Sequence, residues 1–201
     1  MTDAETRLLE LLTERSFRRA APGESFTLAS GETSEYFIDG KMTMVSSEGA
    51  ALIGDALYEW TKDLNIDAIG GLQVGAVPLA TAAAISYHRH GRPVEGFWVR
   101  DGLKDHGTKK QIEGGLRKGM RVAVVDDVFT KGGSTLKAVQ AVREFGCEVV
   151  VVLALVDRLR GARALFRQHG IDSYRTVFTI RDFGIVVPDD ASEATPPQPL
   201  P

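Results

Sequence analysis

The run Val149 to Val156, VVVVLALV, holds no polar side chain. A segment this short and this uniformly apolar reads as a β-strand buried on both faces, because a strand with one wet face alternates apolar and polar residues. Such a strand needs a parallel sheet covered by helices above and below. RVAVV at 121–125 reads the same way.

The neighbouring segments supply those helices. Thr2 to Arg15 carries Leu8, Leu9, Leu11 and Leu12 on one helical face, and Ser46 and Ser47 can cap a helix holding Ile53, Leu57, Trp60 and Leu64. Strands are expected at Ala68–Gly70 and Val94–Val99, around a helix that begins at Pro78 and ends before Gly91. After RVAVV come a helix from Ser134 to Phe145 closed by Gly146, the 149–156 strand, a helix around Ala162–His169 and a strand near Tyr174–Thr179. Strand and helix alternate, so the fold class is α/β, with an open parallel sheet flanked by helices.

Three stretches lie outside that rhythm. FTLASGETSEYFID at 26–39 mixes β-formers with Ser and Gly and predicts short strands around a turn near Gly31. Asp101–Gly119 is polar, basic and glycine-bearing, long enough for a functional loop, and the proline-rich tail at 189–201 is expected to be disordered. Hydrophobic residues at 43%, charged residues at 25% and a net charge of −3 exclude a coiled coil and a chain whose whole surface binds nucleic acid. The lone Cys147 sits among apolar neighbours and is read as structural. A polar start and the lack of any apolar run of spanning length place the chain in the cytoplasm, away from membranes.

The chemistry concentrates in RVAVVDDVFTKGGSTLKAV, residues 121–139, where a buried strand is expected to end in two acids before a glycine-bearing loop and a helix start. Ligands of open α/β sheets bind beyond the carboxyl ends of the strands. Asp126 and Asp127 there can accept hydrogen bonds from sugar hydroxyls or help hold a metal. Backbone amides of Thr130 to Ser134 and the helix N-terminus form a phosphate cradle, which Gly132 and Gly133 let a ligand approach, and the hydroxyls of Thr130, Ser134 and Thr135 add donors. Neither G-x-x-x-x-G-K-[ST] nor G-x-G-x-x-G occurs, so a P-loop or Rossmann nucleotide site is not supported.

VVDDVFTKGGST resembles the binding motif for phosphoribosyl pyrophosphate (PRPP) of type I phosphoribosyltransferases. The resemblance implies that Asp126 and Asp127 meet the ribose hydroxyls, and that Val128, Phe129, Thr130, Lys131, Gly132, Gly133 and Ser134 complete the PRPP site. Lys131 stands where many relatives have a small hydroxyl residue, and either adds charge toward phosphate or points into solvent. VRDGLKDHG followed by IEG resembles the catalytic loop of orotate phosphoribosyltransferases. That likeness puts Arg100, Lys104 and His106 on pyrophosphate, with Lys104 and His106 joining Asp126 and Asp127 as catalytic residues. The loop would be supplied across a homodimer interface.

FTLASGETSEYFID and LVDRLRGARAL at 155–165 resemble the family's substrate segments, implying that Tyr36, Phe37, Thr130 and Arg158 bind orotate. A guanidinium suits the orotate carboxylate, and the competing role for Arg158 is a salt bridge with Asp157 or another nearby acid. GGLQVGAVPLA at 70–80 resembles the family's pyrophosphate loop. Asp101 replaces a lysine common in relatives, and Ala29 and Gly75 replace lysines found in some. The resemblance also implies Mg2+, bound mainly through PRPP without direct side-chain ligation. It gives the fold the type I phosphoribosyltransferase-like form: a single domain over 1–188, with a small N-terminal hood from about 1–45 plus the C-terminal part. The implied reaction makes orotidine 5'-monophosphate for pyrimidine biosynthesis. The alternatives are a PRPP-sensing regulator on the same fold and a phosphoribosyltransferase for another base.

Overall fold

The computed structural model describes residues 1–27, 33–102 and 111–187. In chain order the elements are α1 (Asp3–Arg15), β1 (Phe17–Arg19), β2 (Phe26–Thr27), β3 (Thr33–Ser34), β4 (Tyr36–Ile38), α2 (Lys41–Met44), α3 (Ser47–Thr61), β5 (Ala68–Leu72), α4 (Ala76–Arg89), β6 (Glu95–Val99), β7 (Ile112–Gly114), β8 (Arg121–Phe129), α5 (Gly133–Glu144), β9 (Glu148–Asp157), α6 (Ala162–Gln168) and β10 (Tyr174–Thr179). Six strands form one sheet in the order β10-β9-β8-β5-β6-β7, parallel except for β7 against β6. The expected α/β architecture is the observed one.

Both faces of β8 and β9 are covered, as their unbroken apolar runs require. Ala123, Val125, Val151, Leu153 and Leu155 join one core with Leu8 and Leu12 of α1, Ile53 and Leu57 of α3 and Leu79 of α4. Val122, Val124, Val152 and Ala154 join the other with Ala138 and Val142 of α5 and Phe166 of α6. Successive residues thus serve opposite layers, the period-two alternation of a strand. Between Val122 and Ala123 the register slips: Val122 faces Val149 while Ala123 faces Val151, leaving Val150 as an extra residue in β9.

Local signals place the helices. Thr2 and Glu5 form a reciprocal capping box on α1, and Ser46 Oγ accepts the Gly49 amide at 3.2 Å to start α3. Cys147 is buried, its thiol donating to the Arg117 carbonyl. β2 and β3 pair as the expected hairpin, whose turn lies outside the described residues, as does the segment from 188 on. β1 pairs antiparallel with β4, the Phe17 ring lies tilted against that of Phe183 at 5.2 Å, and Arg19 donates to the Gly184 carbonyl, so N-terminal strands and C-terminal turn share one patch.

Several boundaries differ from expectation. α4 starts at Ala76, and Pro78 sits in its first turn, where a missing N–H leaves no intrahelical bond unmade. α5 begins at Gly133 rather than Ser134. The polar stretch 101–119 contains β7, whose Glu113 and Gly114 pair with Trp98 and Phe97. β8 does not end at the acids but runs on to Phe129, because Asp126, Val128 and Phe129 keep partners Ala154, Val156 and Asp157 in β9.

Candidate active site

Asp126 is the sixth of the nine residues of β8, with its side chain buried. It accepts hydrogen bonds from Ser134 Oγ (2.9 Å), Thr135 Oγ1 (2.8 Å) and the Asp127 amide (3.0 Å). Burial, and then repulsion from Asp127, push its carboxyl up to about 7 despite those hydroxyls. Expected to reach a phosphate, the Ser134 and Thr135 hydroxyls instead spend their single protons on Asp126. What Ser134 offers a phosphate in this arrangement is its backbone.

Asp127, one residue on, is partly exposed. Two loops close on it without side chains of their own: a Cβ on Gly40 would lie 3.0 Å from Asp127 Cβ, and one on Gly75 3.0 Å from Asp127 Oδ1. The turn into α5 passes through Gly132 at φ 79°, a left-handed conformation in which a Cβ would also press on the Phe166 ring at 2.9 Å. The glycines and backbone amides at this helix start make a surface suited to an anion. Lys131 is exposed and Thr130 half-buried. Phe129 turns into the core against Phe166 (5.1 Å) and Tyr174 (5.6 Å), so only its backbone can reach a ligand, and Val128 packs on the first core.

The Phe129 carbonyl accepts the Arg158 amide at 2.9 Å, tying the end of β8 to the residue after β9. Arg158 is 6% exposed and lies 4.6 Å over the Tyr36 ring. It donates to Tyr36 Oη (3.3 Å) and Ser34 Oγ (3.1 Å), both neutral. Its neighbour Asp157 accepts the Leu159 amide and the Tyr174 hydroxyl. Phe37 does not join Tyr36: adjacent strand residues point to opposite faces, and Phe37, 36% exposed, meets Phe26 at 5.9 Å. Ser34 and Tyr36 also line a cavity of about 690 Å³ with Thr33, Arg160 and Val186.

Arg100 is not brought to the acid pair by the described contacts. It pairs with Glu113 at 3.2 Å, Asp101 pairs with Lys137 at 3.0 Å, and Arg100, Asp101 and Lys137 share a small recess with Gln140 and Glu144 beside α5. Lys104 and His106 lie outside the described residues, as do Lys109, Lys110 and Ala29. Among the described residues no group of three or more His, Cys, Asp or Glu side chains could hold a metal. Two adjacent carboxylates fit a hard cation that takes most of its oxygens from a phosphate ligand. Among those residues, too, no helix is long and apolar enough to cross a membrane.

Two residues beside these groups, Ser34 and Lys41, had no local signal. Ser34, like the Tyr36 that the resemblance names, meets Arg158 across more than a hundred residues of sequence. Lys41 forms an ion pair with Asp39 at 2.7 Å. Burial pulls its ammonium down, but the Asp39 bond and the charges of Asp127 and Asp126 raise it overall.

Comparison with known proteins bears on this geometry. Residues 45–189 match the family model described as phosphoribosyl transferase domain. An orotate phosphoribosyltransferase of Bradyrhizobium diazoefficiens is 46% identical over 184 residues, covering 90% of this chain and 96% of that protein. One from Aquifex aeolicus is 46% identical over 168 residues, covering 84% of this chain and 91% of that one. The crystal structure of Mycobacterium tuberculosis orotate phosphoribosyltransferase in complex with PRPP superposes with a TM-score of 0.75 at 38% identity, covering 90% of this chain and 99% of that one.

Proposed function

This chain belongs to the phosphoribosyltransferase family, in its orotate branch, and on that premise we propose that it transfers the phosphoribosyl group of PRPP to orotate, giving orotidine 5'-monophosphate and pyrophosphate. The observation that carries the choice of base is Arg158: a buried guanidinium whose hydrogen-bond partners Ser34 and Tyr36 are neutral. A charge buried that way is costly until an anion joins it, and the orotate carboxylate is such an anion. Arg158 binds it, with Tyr36 and Thr130 beside the ring.

N1 of orotate, whose carboxylate is already ionised at neutral pH, attacks C1 of PRPP while the C1–oxygen bond to pyrophosphate breaks, through a ribosyl group that bears positive charge, and the N1 proton passes to solvent. Asp126 and Asp127 accept the ribose hydroxyls and place negative charge near that centre. The amides of Thr130 to Ser134 hold the 5'-phosphate. Mg2+ would be held mainly through PRPP, next to Asp126 and Asp127 without direct side-chain ligation, and would supply charge neutralisation for the leaving pyrophosphate. The family likeness assigns Arg100, Lys104 and His106 to the pyrophosphate, supplied from the partner of a homodimer.

The deciding experiment follows orotate absorbance with PRPP and Mg2+. Consumption of orotate with formation of pyrophosphate is expected. Binding of PRPP without turnover would favour a sensor, and turnover of another base alone would reassign the substrate.

A further inference from the structure

We propose that Lys41 is a further PRPP-binding residue of this chain, its ammonium taking the pyrophosphate, with Asp39 as the positioning residue that aims it. The inference rests on the phosphoribosyl-transfer reading above. Its geometric basis is the approach of the Asp39–Lys41 segment to Asp127, where a Cβ on Gly40 would stand 3.0 Å from Asp127 Cβ and 3.2 Å from Oδ2. The loop before α4 closes from the other side, with Gly75 at 3.0 Å from Asp127 Oδ1. Asp127 is therefore held between two loops whose contact points are both glycines. The residue next to one of them is a lysine.

Asp39 keeps that lysine in place. Its Oδ1 accepts the Lys41 backbone amide at 3.0 Å and the ammonium at 2.7 Å, folding the side chain back over its own start. An ammonium has three donors, and Asp39 takes one. The Lys41 side chain is 53% exposed, so it is open to a ligand and not packed as a core strut. Its charge acts on both Asp127 and Asp126.

The chemistry of the ligand explains the need for it. With the ribose hydroxyls on the acid pair, C1 and its pyrophosphate lie next to the same two carboxylates. Like charges this close repel strongly in a partly dry cleft, and a fixed cation between them removes that repulsion. Lys41 is placed to do this before any mobile cation arrives.

The test is calorimetry on the full chain with Mg2+, using PRPP, inorganic pyrophosphate and ribose 5-phosphate as separate probes. Lys41→Met should weaken PRPP and pyrophosphate by about 10- to 100-fold, the loss of a charge-assisted hydrogen bond, and leave ribose 5-phosphate unchanged. Lys41→Arg should restore most of the affinity, and Asp39→Asn should weaken PRPP by a smaller factor. Unaltered pyrophosphate binding in Lys41→Met would overturn the proposal, and so would equal weakening of ribose 5-phosphate, which would mean that Lys41 acts only through the acid pair. No probe contains orotate, so a wild-type chain that binds PRPP without turning over orotate overturns the proposed reaction while Lys41 is still judged. A wild-type chain that binds no PRPP overturns both.

Discussion

Asp126, within β8, and Arg158, just after β9, are two buried ionisable groups, and they meet burial in opposite ways. Arg158 rests on a ring and two neutral oxygens and cannot shed its proton, so its charge persists without an ion partner among those contacts. Asp126 gathers two hydroxyls and an amide, yet burial and Asp127 still push it up to about 7, where it can become neutral. In the proposed reaction the Arg158 end would demand an anion at all times, whereas the Asp126 end would carry full charge only with hydroxyls or a cation beside it.

The strongest challenge to that contrast removes the acids. Asp126→Asn combined with Asp127→Asn should lower kcat/KM for PRPP by about a thousandfold or more, because two charge-assisted acceptors are lost. A loss of less than about tenfold in the orotate absorbance assay would mean that ribose is held elsewhere. Next in size, Arg158→Ala should cut kcat/KM for orotate by about 10²- to 10³-fold while PRPP affinity by calorimetry stays near wild type. Arg158→Lys should recover little, since a point charge does not reproduce the fork. Equal losses for both substrates would erase the division between the two ends.

The third test is thermodynamic. A carboxyl whose folded pKa is raised contributes stability that is complete below its unfolded value, near 3.9, and lost as pH rises through about 7. Asp126→Asn removes that loss, so its free energy of unfolding should exceed that of wild type at pH 8, by on the order of a few kcal/mol in denaturant titrations, and converge with it near pH 4. A constant difference across that range would show that Asp126 is not the titrating group. The smallest effect belongs to charges that stay wet. Asp101 and Lys137 pair at 3.0 Å with both side chains more than half exposed, so Asp101→Ala should shift stability by less than about 1 kcal/mol in thermal melts.

The sheet was legible in the sequence wherever apolar runs were uninterrupted: the two-faced burial of β9 and the bounds of β10 follow directly from residue type. The acids of β8 misled, because Asp126 and Asp127 read as a strand end while cross-strand partners carry the strand through to Phe129. β7 was hidden because three residues in a polar run cannot show a period. At the candidate site, two motifs named Asp126, Gly132 and Arg158, but the turning of Ser134 and Thr135 toward Asp126 and the separation of Tyr36 from Phe37 depend on packing. Ser34 and Lys41 reach the cleft only through tertiary approach.

The extra residue in β9 has a consequence for how the gene can change length. Val150 and Val151 both lean toward the same core, so the irregularity absorbs one residue without turning the strand beyond it. A deletion there should leave Leu153, Leu155 and the Arg158 end facing as they do now. The same deletion after Val151 would put the following side chains on the wrong layer and carry Arg158 away from Tyr36. Single-residue insertions and deletions among descendants of this sequence should therefore gather at the far end of the β8–β9 pair, where the protein has a joint to spare.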